Sequence, residues 1–164
     1  MPMSEWVDSQ YFARELIFGW QAMNEEFANT PEERGRLEKC KWRTGELVFD
    51  ELQKKLNISP GDPFTVAKAL GDYLTQAGYA NIQFHKVSDT EVLYDMGNLV
   101  MIPMLPVVRS MGIKVYPGPS TALFFAAFKK LCNVQAEGLP VPEHHKEGVP
   151  EDMLREYWRF SPLN

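Results

Sequence analysis

Residues 118 to 133, GPSTALFFAAFKKLCN, open on Gly-Pro-Ser-Thr, run through Leu123, Phe124, Phe125 and Phe128, and close on Lys129, Lys130 and Asn133. Read as a helix, this segment suits a core, so the rest of the chain must supply the elements that surround it. Its start has a second aptitude. A helix N-terminus presents unpaired N–H groups and a partial positive charge, which together favour an anion. Pro119 brings no N–H, but Ser120, Thr121 and Ala122 do, and Ser120 and Thr121 add hydroxyls. The competing role for Ser120 is that of a plain helix cap. GPST lacks the spaced glycines and the lysine of a nucleotide phosphate loop.

The surrounding elements follow from periodicity and punctuation. Phe12, Leu16, Trp20, Met23 and Phe27 recur at steps of three or four, which predicts a helix over 6 to 28. Thr30 and Pro31 then suit the cap and first position of a second helix reaching about Leu56. Its expected inner side is Leu37, Cys40, Thr44, Leu47, Val48, Leu52 and Leu56. Asp62 and Pro63 start a third helix, which carries Val66, Ala67, Leu70 and Leu74 inward and stops at Gly78. NIQFHKV (81 to 87) and EVLYDM (91 to 96) read as strands joined by the hairpin turn SDT. IKVYP and NVQAEGLPV read as further strands, and PEHHKEGVPED as an exposed loop. The tail MLREYWRFSPL fits a strand or a helix. As a strand it alternates Tyr157 and Arg159 against Trp158 and Phe160.

At 164 residues, one domain burying roughly two-thirds of its unfolded surface is expected. It would comprise a helical part over 1 to 57 and a ligand-binding α/β core over 61 to 164. A net charge of −5 argues against nucleic acid as partner, because phosphate binding needs a concentrated basic face. MPMSEWVDSQYFARE carries acids where a signal peptide would be basic and then apolar. The longest apolar run, LVMIPMLPVV, is about half a membrane span and holds two prolines. Two cysteines, Cys40 and Cys132, make no disulfide framework or metal spacing. A soluble, cytoplasmic protein is the expectation, with no membrane span.

From Met96 to Ala136 there is no aspartate or glutamate, while Arg109, Lys114, Lys129 and Lys130 all fall there. Met101, Met104, Met111, Phe124, Phe125 and Phe128 share the stretch. Flexible methionines with aromatics suit either a core or a pocket for an apolar guest. An acid-free surrounding would leave a carboxylate on that guest unopposed. His85, on a strand between Phe84 and Lys86, is the candidate proton-transfer residue, with a structural histidine as the alternative. Glu143, His144, His145 and Glu147 crowd together, but their spacing matches no zinc motif, so no metal or other cofactor is assigned. Cys132 ends a helix, where the dipole disfavours a thiolate. Tyr73, Tyr79, Tyr94 and Tyr116 are phenolic donors among which nothing in the sequence selects.

Three pieces carry a family resemblance. WRTGELVFDELQKKL (42 to 56) is similar to a glycine-containing helix, and GDPFTVAKALGDYLTQAGYANIQFHKVSDTEVLYDM (61 to 96) to a helix followed by a strand pair. VYPGPSTALFFAAFKKLCNVQAE (115 to 137) resembles a late helix and strand, with YWRF (157 to 160) as closing strand. Together, residues 42 to 160 resemble the vinyl-4-reductase-type small-molecule-binding domain, related in fold to small subunits of the TRAPP vesicle-tethering complex. The resemblance implies an α/β (α+β) fold, a small antiparallel sheet packed against several helices, and a homodimer through the early helices. It also implies a small residue for close packing in the late helix, for which Ala126 or Ala127 would serve. Three late cysteines, zinc ligands in some members, have no counterpart here. Their neighbourhoods hold Tyr116, Glu137 or Gly138, and Tyr157 or Trp158.

The expected function is a small-molecule-binding domain for an apolar or aromatic carboxylic acid. Met101, Met104, Phe124 and Phe128 would line the pocket, with Arg109, Tyr116, Ser120 and Thr121 toward the polar end. A small lyase or hydrolase acting on an aromatic or heterocyclic acid is the alternative, and an interaction module the third.

Overall fold

The computed structural model describes Gly19 and residues 28–97, 119–150 and 153–163. The helix expected over 6 to 28, the Met- and Pro-rich stretch and the strand IKVYP lie outside these, apart from Gly19, which is helical, and Ala28, which is not. Two compact units form, residues 1–38 with 100–116 and residues 39–99 with 117–164.

Helix α1 (Pro31–Gln53) starts where Thr30 and Pro31 predict. The Thr30 hydroxyl accepts from the Glu33 N–H at 3.2 Å, and the Glu33 carboxylate accepts from the Thr30 N–H at 2.9 Å. This reciprocal capping box satisfies two donors that a helix start leaves orphaned.

The inner side of α1 differs from expectation. Gly45 and Phe49 are its buried residues, whereas Cys40, Thr44, Leu47 and Val48 are exposed. Leu47 and Val48 keep 51% and 44% of their surface. A glycine counts for nothing in a hydrophobic pattern, yet at Gly45 it lets α1 approach another backbone, and that approach sets the helix rotation. A second helix, α2 (Pro63–Gln76), is capped by Asp62, whose carboxylate accepts from the Thr65 N–H at 3.0 Å. Ala77 closes it, and Gly78, with φ of 72°, follows.

Strands β1 (Asn81–Lys86) and β2 (Glu91–Gly97) form the expected hairpin, closed by Val87 and Ser88 N–H groups donating to the Glu91 carbonyl. Helix α3 (Pro119–Ala127) runs on into a π-helical turn, Phe128–Cys132, and stops at Asn133 in the left-handed conformation. Strand β3 (Val134–Leu139) follows, then a 3-10 turn at Glu143–His145. The ambiguous tail is a strand, β4 (Met153–Pro162). The sheet is antiparallel throughout, in the order β1-β2-β4-β3, and the fold is α+β.

One sheet face packs on the helices. Phe84, Tyr94 and Trp158 meet Phe124 of α3 with ring centroids 5.2 to 5.7 Å apart. Phe128 meets Phe160 edge-on at 5.0 Å, and Phe125 stacks on Trp42 of α1 at 5.2 Å. Each such pair adds about 0.5–1.5 kcal/mol beyond the area it buries. At the α2 crossing, a Cβ on Gly71 would lie 2.9 Å from both Ile82 and Phe84. No helix among the described residues is long and apolar enough to cross a membrane.

Candidate functional site

Alternation along the strands sends even-numbered β4 residues toward the helices. Trp158 and Phe160 belong there, but so does Glu156. It pairs directly with Tyr94 across the β2–β4 ladder. The Thr121 hydroxyl lies 3.1 Å from both Glu156 oxygens and the Trp158 indole N–H donates to one at 2.7 Å. Glu156 is not fully buried as a residue, yet its carboxyl is largely withdrawn from water. That withdrawal raises it above the usual carboxylate range, outweighing the hydrogen bonds from Trp158 and Thr121 that pull the other way. Among the described residues no cation pairs with it.

Beside Glu156, the fully buried Tyr94 hydroxyl donates to the Met96 thioether at 3.2 Å. The Ser120 hydroxyl approaches the same sulfur at 3.8 Å. A thioether is a weak acceptor, so beyond the hydrogen bond between Tyr94 and Ser120 themselves this pair has only weak acceptance. Burial holds the Tyr94 phenol well above its ordinary pKa, and its hydrogen bond with Ser120 offsets that only in part.

Ser120 and Thr121 therefore stand together in a buried polar cluster, while Phe124 and Phe128 pack fully buried against the aromatic sheet face. Met101, Met104, Arg109 and Tyr116 lie outside the described residues. Lys129 and Lys130 do not face the cluster. They reach α1, pairing with Glu46 at 3.1 Å and with Asp50. The acid-free run of sequence is not acid-free in space, because β4 delivers a carboxyl to Thr121.

Compared with known proteins, the chain matches no family model and no curated sequence.

His85 lies on the opposite face of the sheet. Its Nε2 is 3.1 Å from Oδ2 of Asp95, which is buried although flanked by Tyr94 and Met96 of the other face. Arg155 clamps Asp95 with two bonds of 2.6 Å, and its remaining amino group donates to the His145 carbonyl at 2.6 Å. The Asp95 bonds in turn raise the Arg155 pKa. A carboxylate oxygen accepts, so the tautomer with its proton on Nε2 donates to Asp95 and keeps its Nδ1 lone pair. With its side chain 49% exposed, that ring is open to solvent.

The His144 and His145 rings lie 4.1 Å apart, but among the described residues no three His, Cys, Asp or Glu side chains gather as a metal site. Burial, with Asp62 nearby, pushes the Cys132 thiol up to about 11. A shallow pocket of about 230 Å³ opens between the α2 start and the β1–β2 turn, lined by Asp62, Phe64, Lys86, Asp89, Glu91 and Phe160. Its carboxylates are engaged, Asp62 by Thr65, Asp89 by Lys86 and Glu91 by Arg159.

The residues that sequence reasoning missed are Glu156, Asp95 and Arg155. A signal for Glu156 was present: if the tail is a strand, its acid shares a face with Trp158 and Phe160.

Proposed function

We propose that this chain is a small-molecule-binding domain of the vinyl-4-reductase type, taking an apolar or aromatic guest whose polar end, of carboxylic-acid type, meets the start of α3. The observation that supports this most is the pair of buried hydroxyls, Tyr94 and Ser120, that share a thioether at the edge of an aromatic cluster. A thioether is a weaker acceptor than an oxygen, so a guest oxygen would improve the pairing of these hydroxyls. Native mass spectrometry of freshly purified protein, followed by denaturing release, tests it. A stoichiometric small molecule, lost in Phe128→Ala, is the expected result. Wild-type protein that carries no guest and binds no aromatic probe overturns it.

His85 on Asp95 favours a second reading, an enzyme acting on a small aromatic acid with His85 as general base. A buried carboxylate that orients a half-exposed imidazole is the arrangement such a base needs. His85→Ala should then abolish turnover and spare affinity; if neither changes, the histidine is structural.

Leu47 and Val48, exposed on α1, support a homodimer or larger assembly. Light scattering on the eluting protein tests that, and a strict monomer at micromolar concentration removes it. A cytoplasmic location accords with the free thiols of Cys40 and Cys132.

A further inference from the structure

We infer that the polar end of the guest is an uncharged carbonyl-type oxygen, which accepts hydrogen bonds from the Tyr94 and Ser120 hydroxyls beside Glu156. This rests on the small-molecule reading above and revises its polar end, which a carboxylic acid would match only in its undissociated form.

The groups at the start of α3 decide the charge. Tyr94 and Ser120 are O–H donors, buried to 0% and 3% exposure; they hydrogen-bond each other, and the acceptor outside the pair is the Met96 sulfur. An oxygen seated beside that sulfur would be a stronger acceptor for both. A carboxylate would satisfy them too, but it would have to sit beside Glu156, the direct cross-strand neighbour of Tyr94. Among the described residues no cation faces Glu156, and its other contacts, Thr121 and Trp158, are neutral. Two carboxyl groups in one dry site cannot both ionise cheaply, so an anionic guest would have to take up a proton or force one onto Glu156. A ketone, aldehyde, ester or undissociated acid carries no such cost. The helix start adds to the preference without requiring charge, because its N–H dipoles also favour the oxygen end of a carbonyl. Lys129 and Lys130, which would have tipped the balance toward an anion, are paired on α1 instead.

Three probes of one ring system separate the possibilities: naphthalene, 2-acetonaphthone and 2-naphthoate, titrated calorimetrically into the full chain at neutral pH. The ketone should bind about tenfold tighter than either of the others, the worth of one good hydrogen bond. Tyr94→Phe, which keeps the ring and its packing, should bring the ketone to the affinity of naphthalene, and Ser120→Ala should weaken it in the same direction. If 2-naphthoate equals or surpasses the ketone in wild type, the inference falls and the small-molecule reading stands. The inference falls in the same way if ketone and naphthalene bind alike. If none of the three binds, the small-molecule reading itself falls.

Discussion

Gly45 of α1 lies against the backbone of Ala122 in α3, so closely that a Cβ there would stand 2.4 Å from the Ala122 carbonyl carbon and oxygen. Ala122 is thus a close-packing residue of the late helix, and Ala126 and Ala127 are buried too. Backbone cannot yield as a side chain does. Gly45→Ala should therefore destabilise the fold by about 1–3 kcal/mol, although alanine is the better helix former. Urea denaturation checks this, and a stabilised variant would mean that α1 does not cross α3 here.

Asp95 and Arg155 should behave as a buried ion pair. Arg155→Met leaves the Asp95 carboxylate with His85 as its remaining partner, and the expected loss is about 3–5 kcal/mol. Converting Asp95→Asn in the same chain should recover a large part of that loss, because the stranded charge goes with it. A double variant no more stable than the single one would show that the arginine matters through packing instead.

Glu156 sets a pH dependence whose sign follows from its raised pKa. The folded state holds this proton more tightly than the unfolded chain does. Its contribution is therefore fully present below the ordinary carboxyl value of 4.5 and is lost as pH rises through the folded value. Glu156→Gln should flatten that decline and leave the variant more stable than wild type at neutral pH. Thermal melts of both proteins from acid to neutral pH provide the comparison, and parallel curves would refute it.

The two thiols should separate in reactivity. Cys40 is exposed, whereas Cys132 is partly covered and held at about 11. At mildly alkaline pH only roughly one Cys132 in a thousand is thiolate, so iodoacetamide should label Cys40 first by a wide margin in native protein. Mass mapping of the labelled peptides reads the order, and it should vanish in denaturant.

Local chemistry carried much of the fold into the sequence. Thr30 and Asp62 as caps, Pro31 and Pro63 at first positions, Gly78 as a stop and the SDT turn act over a few residues, so α1, α2 and the β1–β2 hairpin were legible from spacing alone. The burial of Phe124 and Phe128 was legible too, because a segment so apolar has nowhere else to go. Tertiary structure decided what depends on distant partners. The rotation of α1 follows from the room Gly45 leaves for Ala122, which no hydrophobic pattern records. The tail became β4 because β2 and β3 each offered it a hydrogen-bonding edge. Closing that ladder carried Glu156 to Thr121, 35 residues away in sequence, and Arg155 to Asp95. A run of sequence without acids could not foresee a carboxyl arriving from another strand, because electrostatics acts through space.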